Sequence, residues 1–391
     1  MMLRCILPVG QGAFYLERFK SNKDIINVVY DCGSLTDVNI VEKEIRSNFH
    51  KGDEIETVFI SHIDYDHING LEYLLKYCKV KNIVFPYTKR EDKITLAIDY
   101  FCKNNNASDN DFTYKFINDP HHTIRDLNSD TILYGIREYH SDNDSSWTND
   151  NEYEEEFKII NSGFNLFEVF LFSKNISNIN WEYVPFNFRE DKRKKQFFDE
   201  LNNNLKKLGL SFHQIGIDKI LQKWADPDIQ NAIIEAYKKV KGNLNTNSMV
   251  LFSGIRDNNV NQWRMNPYNN CHCSYCFHKY INHFYYDFKK NGCLYTGDYE
   301  AKGKQKWNEL RKAYSKYWDY IGCVQIPHHG SYRNYNHEFA LLDAYFIISV
   351  GCKNKYRHPS GSVIKDLYLN KKYTLIVTEH RNSEIILEID I

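Results

Sequence analysis

The sequence lacks any long apolar run, and no stretch approaches the roughly 18 uninterrupted apolar residues of a membrane-spanning helix. Its N-terminal segment, MMLRCILPVGQG, reaches its glycines without the apolar core of a signal peptide. We therefore expect a soluble, cytoplasmic protein with no membrane partner. The chain has 391 residues, 42% of them hydrophobic, which suffices for one large domain with insertions or for two domains.

The sequence also has almost no excess charge, with a formal net charge of -1. Global electrostatics therefore steers the chain toward neither nucleic acid nor an anionic membrane, and any nucleic-acid role requires a local basic surface. Two catalytic signatures are missing as well. No G-x-S-x-G is present, and the short GQG at 10–12 lacks the Lys-Ser/Thr of a phosphate-binding loop.

The ten cysteines are mostly scattered, and several lie in apolar runs, which is typical of buried free thiols in a reducing cytosol. One cluster, CHCSYCFH at 271–278, stands apart. A second, structural zinc site would use Cys271, Cys273, Cys276 and His278. The spacing is compressed and no distant second cysteine pair follows. Free thiols on an insert, or contact with a partner, are therefore the alternatives.

Strand and helix patterns alternate in the first hundred residues. β-rich runs at 3–8, 13–17, 25–30, 57–60 and 82–85 predict strands. Between them, a helix is expected from about Asp37, because Val38, Val41, Ile45 and Phe49 fall on one face. The same alternation resumes from 248 to 389. This rhythm predicts an α/β fold.

The middle of the chain differs in character. Residues 104–160 are rich in Asn and Asp, and eight acidic residues lie between 138 and 157 without any Lys or Arg, which predicts a solvated loop region. Residues 187–241 have helical spacing, and Asp226-Pro227 is a helix-start signal. We therefore expect a first half at 1–103, an insertion at 104–241 and a second half at 242–391, which carries a Cys/His-containing insert at about 255–290.

A basic cluster opens the helical part of this insertion: Arg189, Lys192, Arg193, Lys194 and Lys195. A solvated helix face is the simpler interpretation. Contact with a phosphate backbone is the sharper alternative.

The strongest chemical signal is SHIDYDHING at 61–70. Four potential metal ligands lie within six residues, directly after a predicted strand and before a helix. Imidazoles and carboxylates together suit Zn, Mn or Fe. A polar loop that merely caps a helix is the alternative, but two His and two Asp at this spacing favour a metal site.

This motif resembles the H-x-H-x-D-H signature of the metallo-β-lactamase superfamily, with Asp64 in place of the second His. The H-x-D-x-D-H version is similar to the metallo-β-lactamase-like domain of ComEC-type DNA-uptake proteins and their free-standing relatives. Further blocks of that pattern follow in order: VGQG at 9–12, VYDCG at 29–33, NSMVL at 247–251, TGD at 296–298, PHHGS at 327–331 and ISVG at 348–351, with HP at 358–359.

The resemblance implies an αββα sandwich, here with a helical insertion between its two halves, and a two-metal site. The implied ligands are His62, Asp64, Asp66, His67, Asp298 and one of His328 and His329, with His329 preferred. His62 and Asp64 would hold the first ion, Asp66 and His67 the second, and Asp298 would bridge both. His358 would contact substrate or protonate the leaving group, although a structural role is a close alternative. Asp66 would also orient the attacking water.

The first site departs from the family pattern, because its usual third His is absent. That neighbourhood holds Asn245, Asn247 and Ser248. An oxygen-richer site shifts the preference from Zn toward Mn or Mg, while the remaining imidazoles keep Zn among the candidates.

The function that the resemblance implies is a metal-dependent phosphodiesterase or nuclease that acts on DNA through two-metal activation of water. A role in bacterial anti-phage defence with a companion protein is one hypothesis for such a chain. A hydrolase of small molecules such as cyclic nucleotides, lactones or thioesters is the second candidate. A non-catalytic interaction protein that retains the fold is the third.

Overall fold

The fold is described from a computed structural model. It describes residues 2–20, 25–104, 107–140, 153–154, 157–167, 181–188, 192–210, 224, 226–240, 244, 248–255, 265–269 and 290–389. Across these residues, no helix combines the length and the apolar character needed to cross a bilayer.

The first sheet is built mainly from the N-terminal part of the chain. Its strands are β1 (Met2–Ile6), β2 (Gly12–Lys20), β3 (Ile25–Ser34), β4 (Glu54–Phe59), β5 (Lys79–Pro86), β6 (Ile132–Ile136), β7 (Tyr153–Glu154), β8 (Phe157–Ile160), β11 (Met265–Asn269) and β16 (Ile385–Ile389). Their order is β11-β16-β1-β2-β3-β4-β5-β6-β8-β7. The strands from β3 through β4, β5 and β6 to β8 run parallel. The C-terminal strand β16 returns to pair with β1.

The second sheet comes from the rest of the chain. Its strands are β9 (Trp181–Phe188), β10 (Ser248–Ile255), β12 (Gly292–Tyr295), β13 (Ile321–Gln325), β14 (Tyr345–Ser349) and β15 (Thr374–Val377), in the order β15-β14-β13-β12-β10-β9. The strands from β12 to β15 run parallel.

Helices cover the outer faces of the two sheets. They are α1 (Val38–Asn48), α2 (Tyr65–Ile68), α3 (Leu71–Tyr77), α4 (Arg90–Lys103), α5 (Phe112–Asn118), α6 (Pro120–Arg125), α7 (Lys192–Lys207), α8 (Pro227–Lys239), α9 (Lys304–Ala313) and α10 (Gly361–Leu369). The helix expected after Asp37 is confirmed, because the Asp37 side chain accepts a hydrogen bond from Asn39 N and caps α1. The helix expected after Asp226 is confirmed in the same way.

Three apolar layers define the architecture. One core lies between the sheets and combines residues of both, such as Tyr15 and Tyr30 with Leu251 and Tyr295. A second core lies between the first sheet and its helices, and a third lies between the second sheet and its helices. The predicted αββα sandwich is therefore confirmed as the fold class.

The predicted insertion contributes both helices and strands. α7 and α8 share an apolar cluster with Ile94 and Ile98 of α4, so they pack on the outside of the first half. Strands β6, β8 and β9 also fall between 104 and 241, and they extend both sheets. The exact domain boundaries stay a prediction. The acidic stretch lies largely outside the described residues.

A buried ion pair lies between the sheets, which we call the anchor network (Arg4, Glu17, Tyr183, Ser253 and Tyr295). Arg4 Nε lies 2.7 Å from Glu17 Oε1, and the Arg4 side chain is fully buried. The hydroxyls of Tyr183, Ser253 and Tyr295 donate to the Glu17 carboxylate at 2.6, 2.6 and 2.8 Å. Arg4 also donates to two backbone carbonyls, those of Asn291 and Ser253. Both charges are therefore compensated inside the protein.

Candidate metal centre

The chemistry-bearing residues meet at one edge of the sandwich. The SHIDYDHING segment follows β4, while Asp298 and the His328-His329 pair follow β12 and β13. Each of these strands is part of a parallel array. Loops at the carboxyl ends of parallel strands therefore converge from both sheets on the same place, which is where α/β proteins commonly bind ligands. A backbone hydrogen bond from Met249 N to Ser61 O, 2.7 Å long, joins the two sheets there.

Asp31 organises the floor of this site. The β2–β3 ladder shifts register at this point, so that Asp31 is the extra residue of a bulge, and its φ is 55°. Its fully buried carboxylate accepts hydrogen bonds from Ser61 N at 2.7 Å and from Ser61 Oγ at 2.7 Å. It also accepts one from His67 Nδ1 at 2.8 Å. The bulge thus aims a carboxylate at the back of the histidine motif.

Hydrogen bonds orient three imidazoles toward one point. His67 donates its Nδ1 proton to Asp31, and His329 donates its Nδ1 proton to Ser349 O at 2.8 Å. Since the Ser61 hydroxyl donates to Asp31, it accepts from His62 Nδ1, 2.9 Å away. We assign these tautomers from the network. Because Nδ1 of each ring is held in this way, Nε2 of each ring is turned toward the centre, as in histidine metal ligands.

Carboxylates complete the cluster. Asp298 Oδ2 lies 3.7 Å from His62 Nε2, and Asp298 Oδ1 lies 3.5 Å from His67 Nε2. Asp66 Oδ2 lies 3.2 Å from His329 Nε2 and 4.0 Å from His67 Nε2. Two triads therefore have donor atoms within 4.8 Å of one another: His62 with His67 and Asp298, and Asp66 with His67 and His329. We call these five residues the donor cluster.

The two consecutive histidines occupy different places. His329 is 5% exposed and belongs to the donor cluster. His328 is partly exposed, and its Nδ1 lies 3.3 Å from Asp298 Oδ2 at the opening of the site. Both residues have positive φ values, 49° and 54°, which bulky residues rarely adopt. Such strain concentrates at functional sites, and here it turns both rings toward Asp298 and Asp66. The arrangement favours His329 as the ligand.

Asp64 lies beside the donor cluster rather than within it. Its Oδ2 is 3.7 Å from His62 Nε2. The same oxygen lies 2.7 Å from Nζ of Lys103, the last residue of α4. Among the described residues, Asp64 belongs to none of the groups whose donor atoms lie within 4.8 Å of one another. Its predicted role as a ligand of the first ion stays a prediction.

His358 lies at the rim of the site. Its ring centre is 5.6 Å from that of His328, and Tyr356 stacks on its other side at 6.1 Å. Its buried Nδ1 has no hydrogen-bond partner within the described part of the chain. Burial, with the neighbouring His328, lowers the pKa of His358 to about 4. The structure thus places this predicted residue next to the site, with an unpaired polar atom.

Burial and neighbouring charges set the protonation of the donor cluster. Burial, reinforced by His67, lowers the pKa of His62 to about 4. Burial opposes ionisation of Asp298, but the neighbouring histidines, His328 first, outweigh it and hold the pKa of Asp298 well below its ordinary value. Burial likewise opposes a charge on His67, but the Asp31 carboxylate outweighs it and raises the pKa of His67. At neutral pH, the Asp298 carboxylate is therefore ionised and the His62 imidazole is neutral, as metal ligands must be.

Several predicted site residues cannot be placed. The residues predicted to form a second metal site, Cys271, Cys273, Cys276 and His278, lie outside the described residues, as do Asn245 and Asn247. Ser248 is buried at the start of β10 and donates to Thr296 O at 3.2 Å.

Residues 26–101 match the family model of the Metallo-beta-lactamase superfamily. That segment runs from β3 into α4 and includes Asp31 and the whole histidine motif. None of the curated proteins matches the chain.

Among solved structures, the chain is similar to one titled "Crystal structure of unliganded yeast PDE1". The identity is 10% and the TM-score 0.36, over 99% of this chain and 99% of that chain. A TM-score at this level supports no inference about shared function.

Sequence reasoning missed three residues that shape the site. Asp31 stands in the VYDCG block, but only the structure shows that it accepts a hydrogen bond from His67. Lys103 and Asp99, on the inner side of α4, carry no local motif. A spacing of four residues is also that of an ordinary ion pair on a helix, so it carries no functional signal.

Proposed function

We propose that this protein is a metal-dependent phosphodiesterase that cleaves DNA, with two divalent ions at the donor cluster and Asp64. The observation that carries the proposal is the set of buried donor atoms that lack hydrogen-bond partners among the described residues: Nε2 of His62, Nε2 of His67 and Oδ1 of Asp298. Leaving buried polar atoms unsatisfied is costly. All three face one point beside a basic loop, so a cation with an anionic substrate would compensate them.

The donor cluster fits a divalent ion. It combines three imidazole nitrogens with two carboxylates, a mixture that suits Zn or Mn, with Mg as a further candidate. Asp298 presents one oxygen toward His62 and the other toward His67. It is therefore placed to be shared between two ions, as the family resemblance implies. Asp31, Ser61 and Ser349 would keep the rings in position.

The mechanism that we infer assigns a task to each part of the site. A bound divalent ion supplies Lewis-acid chemistry, because it acidifies water and neutralises charge on a phosphoryl oxygen. Asp66 lies next to His329, and its carboxylate would orient the attacking water. His328 and His358 at the opening would contact the phosphodiester and fix its orientation.

The surface beside the donor cluster suits a polyanion. The loop at 352–358 carries three exposed cations, Lys353, Lys355 and Arg357, with the exposed Tyr356 among them and no acidic residue. Lys302 Nζ lies 3.2 Å from the ring centre of the exposed Tyr332, whose backbone N–H donates to Ser360 Oγ. Cations that follow a phosphate backbone, with aromatic rings that stack on bases, are the elements of single-strand recognition. This local basic surface is the feature that a nearly neutral chain needs for a nucleic-acid role.

Two cations of the basic cluster at 189–195 are engaged in ion pairs within the protein. Arg193 forms a bidentate pair with Glu300, with distances of 2.6 and 2.8 Å. Lys194 pairs with Asp92 of α4. These two cations therefore tie α7 to the rest of the protein, which corrects the interpretation of both as a solvated face. Our proposal does not use them to bind phosphate.

A small-molecule phosphodiester, such as a cyclic nucleotide, is the second candidate substrate, and one observation favours it. A cavity of about 640 Å3 adjoins the site, and its lining includes Tyr65, Tyr100, Lys103 and Phe112. This volume falls within the range of small-molecule sites. The aromatic walls would suit a base, and Lys76 and Lys103 would suit a phosphate, while Glu42, Glu72 and Asp111 also line the cavity.

The experiment that tests the proposal compares substrates at matched metal concentrations. Purified protein is incubated with single-stranded DNA, duplex DNA and a cyclic nucleotide, each with Mn2+ or Zn2+. We expect DNA cleavage, its loss in Asp66→Ala and in Asp298→Ala, and a larger loss on DNA than on a small diester in Tyr356→Ala. Hydrolysis of the cyclic nucleotide alone would replace DNA by the second candidate. Metal binding without hydrolysis of any substrate would favour an interaction protein. The defence role with a companion protein stays a prediction.

A further inference from the structure

The two ion positions that the proposed function requires are unequal in this chain. The donors around the second position, Asp66, His67 and His329, lie within 4.8 Å of one another. At the first position, Asp64 Oδ2 lies 3.7 Å from His62 Nε2 but only 2.7 Å from Lys103 Nζ. A cation from the chain itself therefore already contacts the carboxylate that the first ion would use.

Lys103 is held in this place from the other side. Its Nζ lies 2.5 Å from Oδ2 of Asp99, one turn earlier on α4. Asp99 is 1% exposed, and its Oδ1 accepts hydrogen bonds from Tyr237 OH at 3.0 Å and from Leu244 N at 2.8 Å. Tyr237 belongs to α8 of the insertion. The helical part of the insertion thus fixes Asp99, and Asp99 keeps the ammonium beside Asp64.

Two consequences follow from simple electrostatics. A carboxylate that already contacts an ammonium attracts a metal ion less strongly. A dication bound to Asp64 and His62 would also lie close to the Lys103 charge, which repels it in a partly buried site. The side chain of Lys103 is 26% exposed and that of Asp64 is 14% exposed, so water screens this repulsion only in part.

We propose that Lys103 is a built-in competitor for the first metal position, so that the chain binds one divalent ion tightly and the second ion weakly. This inference rests on the proposed metal-dependent function, and it gives the insertion a role. Because Tyr237 of the insertion and Leu244, just beyond it, hold Asp99, the insertion helps to keep the competing ammonium in place. The weak ion would then bind chiefly when an anionic substrate adds negative charge at the opening.

The test measures metal affinity rather than activity. Wild-type protein is stripped of metal and titrated with Mn2+, with free ion followed by its electron paramagnetic resonance signal and heat followed by calorimetry. We expect one tight ion per chain and a second ion at least about tenfold weaker, or undetected. Lys103→Met should tighten the second ion at least about tenfold, whereas Lys103→Arg, which keeps the charge, should resemble the wild type.

Two further variants serve as controls. Lys239→Met removes a lysine from an inter-helix pair with Glu200, 2.7 Å long, and should leave both affinities unchanged. Asp64→Asn should abolish the second ion in the wild-type and the Lys103→Met background.

Two ions of equal affinity in the wild type would overturn the proposal even if Lys103→Met failed to fold. An unchanged second affinity in folded Lys103→Met would also overturn it. A wild type that binds no ion at all would instead contradict the proposed function on which the inference rests.

Discussion

The molecule contains two buried polar clusters of opposite character. In the anchor network, Glu17 accepts hydrogen bonds from Arg4, Tyr183, Ser253 and Tyr295, and each nitrogen of the Arg4 guanidinium donates one hydrogen bond. In the donor cluster, Nε2 of His62, Nε2 of His67 and Oδ1 of Asp298 lack hydrogen-bond partners among the described residues. The anchor network can be explained by its contribution to stability alone. The donor cluster has the arrangement that is expected where a ligand completes it.

The two clusters also differ in their backbone support. The anchor residues lie within regular strands β1, β2, β9, β10 and β12. At the other cluster, Asp31 lies in a bulge and His329 has a positive φ. Strain at the donor cluster indicates that it has been shaped for binding, and regular strands at the anchor network indicate that it has been shaped for folding.

The largest effect is expected from Asp298→Ala. Asp298 faces both His62 and His67, so its loss should lower metal-dependent hydrolysis by about 10^3-fold or more. The loop itself should persist, because Asn334 donates to the backbone carbonyl of residue 298 rather than to its side chain. Phosphodiester cleavage and circular dichroism together check this. Asp343→Ala, at an exposed aspartate, is the matched control, and equal activity of both variants would remove Asp298 from the site.

The second effect concerns the anchor network. Arg4→Met leaves the Glu17 carboxylate buried without its cation, so the free energy of unfolding should fall by about 3–5 kcal/mol. Denaturant titration measures this change. Metal affinity of the folded protein should remain at the wild-type value. The double variant Arg4→Met/Glu17→Gln should recover part of the loss. A loss of metal affinity in folded Arg4→Met would break the distinction between the two clusters.

Addition of metal should have a smaller effect, on the stability of the folded protein. At a free concentration of 100 Kd, an ion that binds only the folded state adds about 2.7 kcal/mol to its stability. We expect thermal unfolding of the wild type and of Arg4→Met to shift by similar increments on addition of Mn2+ or Zn2+. Asp298→Ala should not shift. An equal shift in Asp298→Ala would place the binding ion elsewhere.

The smallest effect is expected from Asp31→Asn. This residue touches no ion in our account, but it orients His67 and Ser61 through hydrogen bonds. Loss of such support typically costs about 10–100-fold in metal affinity. Metal titration measures the change, with Asp53→Asn, at a turn capped by its own carboxylate, as the control. Wild-type affinity in Asp31→Asn would show that the bulge has no role in ligand orientation.

Local sequence signals predicted much of this molecule. Helix α1 could be predicted from the helical spacing of Val38, Val41 and Ile45 and from its cap at Asp37. Helix α8 could be predicted from Asp226-Pro227. Both predictions succeed because these signals act within a few residues. The histidine motif likewise lies in one loop. The cluster around Asp298 and His329 was reached through family resemblance, since nothing local reports that the loops after β12 and β13 meet those after β3 and β4.

The remainder depends on contacts that are distant in sequence. Lys103 meets Asp64 across 39 residues, and Asp99 meets Leu244 across 145. The pairing of β16 with β1 joins the two ends of the described chain. The conformations of Asp31 and His329 are strained, which propensity arguments count as unfavourable. Such features become predictable only once the fold that imposes them is known.

The central claim is that the donor cluster is a metal centre, and anomalous X-ray scattering tests it most directly. Crystals of the protein would be soaked in Mn2+ or Zn2+, and data would be collected on both sides of the metal absorption edge. We predict an anomalous peak between Asp66, His67, Asp298 and His329. A peak only at the exposed group of Cys352, Glu379 and His380, or no peak at all, would contradict the account.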